Sequence, residues 1–152
     1  KVRLTGDAAG LAPGRPAVSL LLGTSVPVGD DELTSDAWEP EAKLALAWEL
    51  TSWLSLSANA GAAYRNAPGV DDRFTQISAS LSAGFAVTDR LGAFAEVYGF
   101  SEEELEGDST RYVDGGVTWL IGNDLQLDAR VGWGLNDPDP DWFAGVGAGL
   151  RF

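Results

Sequence analysis

The chain has 152 residues, enough for one domain and too few for two separate cores. Its 23 acidic against 10 basic side chains leave a net charge of −13, which excludes nucleic acid and disfavours acidic partners. With no Cys and no His, disulfide frameworks, thiol nucleophiles, zinc sites and Ser-His-Asp triads are all excluded, so neither an enzyme nor a bound cofactor is expected.

No stretch approaches the roughly 20 apolar residues of a membrane helix. Nearly every segment instead alternates with period two, the strand period. Lys1 to Thr5 gives a short piece with Val2 and Leu4 on one side. Residues 17 to 28 set Val18, Leu20, Leu22, Thr24, Val26 and Val28 against Ala17, Ser19, Leu21, Gly23, Ser25 and Pro27. Residues 37 to 50 place Trp38, Pro40, Ala42, Leu44, Leu46, Trp48 and Leu50 on an uncharged face, opposite Glu39, Glu41, Lys43 and Glu49. Residues 54 to 65 and 74 to 87 follow, with Leu54, Leu56, Ile77, Leu81 and Phe85 on one face and a serine-rich opposite face. In residues 91 to 101, Glu96 shares its face with Phe94, Tyr98 and Phe100, which are expected to fill an interior. Residues 111 to 121 and 125 to 135 put Val113, Val117, Trp119, Leu127, Val131 and Trp133 outward, with Asp114, Asp128 and Arg130 inward. Residues 142 to 152 end the chain with Trp142, Ala144, Val146, Ala148, Leu150 and Phe152 on a charge-free face, opposite glycines and Arg151.

An apolar side toward lipid and a polar side toward a lumen is the pattern of an outer-membrane barrel strand. A soluble ligand-binding barrel would reverse it, with a polar outer face. Connections support the same reading. Tight turns fall at 50 to 53, 88 to 91 and 121 to 125, whereas longer loops fall at about 29 to 36, 66 to 72, 102 to 108 and 136 to 141. Short turns on one rim and long loops on the other match a bacterial outer-membrane barrel. The Gly- and Pro-containing connection from Gly6 to Gly14 departs from this parity. Aromatics sort to the strand ends: Trp48, Trp53, Phe85, Trp119 and Phe152 toward the turns, Trp38, Tyr64, Trp133 and Trp142 toward the loops. These nine are expected to form two membrane-interface girdles.

The inward charges, Glu39, Glu41, Lys43, Glu49, Arg65, Glu96, Asp114, Asp128, Arg130 and Arg151, mix both signs and are expected to pair as a structural network. Most of the negative charge lies in loops: Asp30, Asp31, Glu32 and Asp36; Asp71 and Asp72; the glutamates from Glu102 to Glu106 with Asp108; and Asp137, Asp139 and Asp141. None has EF-hand spacing, so solvated acidic loops with weak, shared divalent-cation contacts are expected.

The run from Pro16 to Asp31, with Lys1-Val2-Arg3-Leu4 before it, the Val117 to Asp128 hairpin and the closing Phe143 to Phe152, resembles the phenol-degradation meta-pathway (MetA-pathway) family of outer-membrane proteins. The resemblance covers most of the chain, and its members are larger, so the chain looks like a carboxy-terminal part or a shortened relative. It implies passage of small, often hydrophobic compounds and supplies no substrate-binding residue.

The expected fold is all-β: one antiparallel up-and-down transmembrane β-barrel domain over residues 1 to 152, with about eight full strands. Two architectures fit: an eight-stranded ring with a loose amino-terminal arm, or part of a larger barrel of about twelve strands. The absence of Met and the start at Lys1 fit a processed export product or a fragment. The expected location is the outer membrane, with the lipid bilayer and, through the last strand, the barrel-assembly machinery as partners. The expected function is a channel or transporter for small molecules; the alternative is a non-conducting barrel acting as an envelope scaffold or loop-mediated binding partner.

Overall fold

Strict alternation of apolar with small or polar residues makes each segment amphipathic only as an extended strand, and the Gly, Pro and Asp clusters between segments stop each run. In the computed structural model, which describes residues 2–5, 15–28, 37–67, 72–137 and 140–152, that pattern produces one sheet of nine strands. They are β1 (Val2–Thr5), β2 (Ala17–Ser25), β3 (Glu39–Glu49), β4 (Leu54–Asn66), β5 (Arg73–Ala86), β6 (Leu91–Phe100), β7 (Thr110–Ile121), β8 (Leu125–Gly134) and β9 (Phe143–Leu150). Each pairs antiparallel with the next in chain order, so the fold is all-β and up-and-down.

Register aligns the apolar residues into continuous rows. One row runs Val18, Leu46, Ala58, Leu81, Val97, Val113 and Trp133 from β2 to β8. The next runs Trp48, Leu56, Ala83, Ala95, Gly115, Val131 and Ala144 from β3 to β9. Because side chains alternate across a pleated strand, a one-residue slip would turn each row onto the other face, which pins the register.

Among the described residues, none forms a second layer over the apolar face. Leu44, Ile77, Leu81, Val97, Val117, Trp119 and Val131 are all exposed, and Val146 is 89% exposed. Buried apolar residues among the described ones are Ala37, Ala63, Ala67 and Phe74, near the loop rim rather than in a central core. Among the described residues, charge enters the apolar face near its loop end, where Arg73 lies over the Tyr64 ring at 5.6 Å and Arg111 stands opposite Gly99 in register.

Two short turns share one device. Thr51 Oγ1 accepts from the backbone N–H of Leu54 at 3.0 Å, and Thr88 Oγ1 accepts from that of Leu91 at 2.9 Å. A hydroxyl thus replaces one turn hydrogen bond in each hairpin. The third turn uses Gly122 at φ 68°, a left-handed conformation in which a side chain would be strained.

The closed eight-stranded ring with a loose arm is not what forms. β1 is laddered to β2, with Val2 opposite Leu20, and β1 and β9 occupy the two edges of an open sheet. The last strand stops at Leu150, with Trp142 and Phe152 flanking it. The connection at 6–14, the acidic stretch at 29–36, and Asp71 and Asp139 lie outside the described residues.

Candidate functional site

The inner face is defined by what converges on it. Lys43 of β3 and Arg130 of β8 line one cavity together with Asn59, Ser80, Glu96, Tyr98 and Phe100, so the sheet curls toward this side. The cavity holds about 360 Å³, room for a small organic molecule. Its walls follow from register: Asn59, Ser80, Tyr98 and Tyr112 form one cross-strand row, and Gly61, Ser78, Phe100 and Thr110 form the row nearer the loops. The Asn59 amide donates to Ser80 Oγ at 3.1 Å, while Lys43 and Glu96 supply one charge of each sign.

Tyr98 and Phe100 line the cavity, and a cluster of rings continues from them across β7 to β9. Tyr98 and Tyr112 stack with centroids 4.9 Å apart, and Phe100 and Phe143 meet them edge-on at 6.3 and 6.1 Å. Such offset and T-shaped pairs are the favoured geometries of aromatic rings. Glycines open the space beneath: a Cβ on Gly116 would meet the Phe94 ring at 2.7 Å.

Asp114 lies under this cluster. It is 2% exposed, and neither carboxylate oxygen accepts a hydrogen bond. Arg130 Nη1 stands 3.7 Å from Oδ2, and the same guanidinium lies over the Phe143 ring at 5.5 Å. Arg130 therefore balances a buried anion while facing the cavity.

The other inward charges lie in separate places along the face rather than in one connected group. Arg65 reaches Glu39 at 3.3 Å and Glu41 at 3.5 Å near the loop rim, and Glu39 Oε1 also accepts from the Asn66 N–H. Arg151 lies at the short-turn rim, with Nε 3.5 Å from Asp124 and Nη2 donating to the Asn123 carbonyl, away from the cavity. Asp128 faces Gly147, and Glu49 lines a second depression of about 440 Å³ toward the short turns, beside Ser55 and Gly84. The sequence reading singled out neither Tyr112 nor Phe143 for the inner face; their phase with Asp114 and Gly145 was the available signal.

Of the nine aromatics expected at a membrane interface, Trp38, Trp53, Tyr64, Trp119, Trp133, Trp142 and Phe152 are exposed, whereas Trp48 and Phe85 are half-buried, with Phe85 stacked on Trp53 at 6.5 Å. Among the described residues, no group of three or more His, Cys, Asp or Glu is placed to hold a metal ion.

No curated protein and no solved structure matches the chain. The family model described as "Putative MetA-pathway of phenol degradation" matches residues 7–152, a span that includes the curled sheet from β2 to β9 and every wall of the inner cavity, and the chain belongs to that family.

Proposed function

We propose that this chain forms wall of an outer-membrane barrel through which small molecules pass, with the inner cavity as a station on their route. The observation that carries the reading is the pairing of two faces on one curled sheet. Outside, uncharged rows span β2 to β9 with no layer over them among the described residues; inside lies a polar and aromatic cavity built from β3 to β8. Lipid is the solvent in which such an outer face is favourable, because water would meet an apolar patch far larger than soluble monomers carry. The family's link to phenol degradation suits ring-bearing solutes, which Tyr98 and Phe100 would flank while Asn59 and Ser80 meet a hydroxyl.

A sheet with free edges is not viable in lipid, since each unpaired backbone group costs several kcal/mol. β1 and β9 run in the same direction, so an all-antiparallel closure takes an odd number of further strands and gives an even total. No catalytic role is proposed.

A second reading, a non-conducting scaffold, draws on the ring column of Phe100, Tyr98, Tyr112 and Phe143, which narrows the inner face. Swelling of proteoliposomes in isotonic solutions of small neutral solutes separates the two. Swelling faster than protein-free liposomes supports passage; swelling equal to theirs, from a heat-modifiable folded protein, leaves the scaffold.

A further inference from the structure

The β6–β7 connection, residues 101–109, is anchored on the inner side of the sheet. Its first residue extends the β5 ladder: Ser101 N–H donates to the Ile77 carbonyl at 2.8 Å, and Ser101 Oγ accepts from the Ile77 N–H at 2.9 Å. The next residue is tied by an inward side chain of β5, with Gln76 Nε2 donating to the Glu102 carbonyl at 2.7 Å. Then Glu103 turns back to inward side chains of β7. Its Oε1 accepts from Thr110 Oγ1 at 2.6 Å and from the Tyr112 hydroxyl at 3.3 Å. Thr110 is only 6% exposed, and Tyr112 is the ring stacked on Tyr98. The far end of the loop is tied to β8, where Asn136 Nδ2 donates to the Ser109 carbonyl.

We propose that this loop is the constriction at the loop-side mouth of the lumen, and that Glu103 is the carboxylate that makes the mouth prefer cations. The proposal rests on the passage reading above. An outward, solvated loop would not spend its side chains on Gln76, Thr110 and Tyr112, which share the cavity's face. A carboxylate fixed by two hydroxyl donors has its position set, and hydrogen bonds to a charged acceptor are the stronger kind. Fixed where the path narrows, one unit charge raises the local concentration of counter-ions and lowers that of co-ions. The Tyr98–Tyr112 stack, directly below in the next cross-strand row, then receives solutes already filtered by charge and width.

The test is the reversal potential of the reconstituted full chain in a planar bilayer under a KCl gradient, with folding of each variant confirmed by heat-modifiable gel mobility. Wild type is expected to prefer K⁺. Glu103→Gln should lower the cation-to-anion permeability ratio by about twofold, the size expected for removing one charge within about a Debye length of the path. Asp89→Asn, exposed in the short turn at the other end of β6, should leave it unchanged. Tyr112→Phe, which keeps the ring stack and removes one anchor of Glu103, should shift the ratio in the same direction as Glu103→Gln and raise single-channel conductance. A conducting wild type whose selectivity is unmoved by Glu103→Gln, or moved equally by Asp89→Asn, overturns the constriction while leaving passage standing. A folded wild type that conducts nothing overturns both.

Discussion

Phe143 of β9 lies directly over Gly132 of β8: a Cβ built on that glycine would run into the Phe143 ring and fall 2.6 Å from Asp114 Cβ. The missing side chain lets the ring cover Asp114 and leaves Arg130 as the route by which that carboxylate is balanced. Gly132→Ala should therefore displace the ring and destabilise by about 1–3 kcal/mol, the usual range for forcing atoms into packed space. Gly149→Ala, where a Cβ would meet nothing within 4 Å, should cost much less. Urea unfolding of the detergent-folded protein measures both, and equal costs would contradict the packing described.

Asp114 is a buried anion with a half-exposed partner, so the effects of removing each are unequal. Arg130→Ala leaves the carboxylate uncompensated and should destabilise by about 2–3 kcal/mol. Asp114→Asn combined with Arg130→Ala should recover much of that loss, because no buried charge is then stranded. If the double variant is as unstable as Arg130→Ala, packing rather than charge sets the cost.

Leu46 and Ala45 are neighbours on β3 with opposite fates. Leu46 sits in the outer row with Ala58 and Leu81, whereas Ala45 pairs with Asn59 on the inner face. With the outer face in lipid, Leu46→Arg should cost about 2–4 kcal/mol near the midplane, and Ala45→Arg markedly less. Equal penalties in lipid-based unfolding would argue against the assignment of faces.

Thr51 and Thr88 each accept two backbone hydrogen bonds within a short turn. Thr51→Ala and Thr88→Ala should each lower stability by about 1 kcal/mol while preserving the sheet, the net worth of such bonds at an exposed site. Thr→Ser at the same positions should retain most of that stability, since the hydroxyl is kept.

The strands were legible in the sequence because their signal is local. Alternation from Leu54 to Tyr64 or from Leu125 to Trp133 needs no knowledge of the partner strand, and the observed ends differ from the expected ones by a few residues. Rows such as Leu46, Ala58 and Leu81 then follow from tight turns that fix register. What escaped depends on residues far apart in the chain. The acidic run at 102–108 reads as a solvated loop, yet Glu103 returns to Thr110 and Tyr112 because Gln76, on another strand, holds the backbone beside it. Arg151 alternates as an inward charge, but the strand has ended and Asp124 in the adjacent turn is nearer than any cavity residue. The fate of β1 was likewise open, since Val2 and Leu4 alternate equally well in a loose arm and in a ladder.

Lipid contact along β5 tests the two-faced wall most directly. Single cysteines at Ala79, Ser80, Leu81 and Ser82, each carrying a small fluorophore, are compared in bilayers that contain lipids with a quencher on the acyl chain. Labels at Ala79 and Leu81, whose neighbours in register are Gly99 and Val97, should be strongly quenched. Those at Ser80 and Ser82, facing Tyr98 and Glu96, should be spared. Quenching with period two along these four positions is the expected result; uniform quenching, or none at any of the four in protein bound to the bilayer, would contradict a sheet with one face in lipid and the other around a lumen.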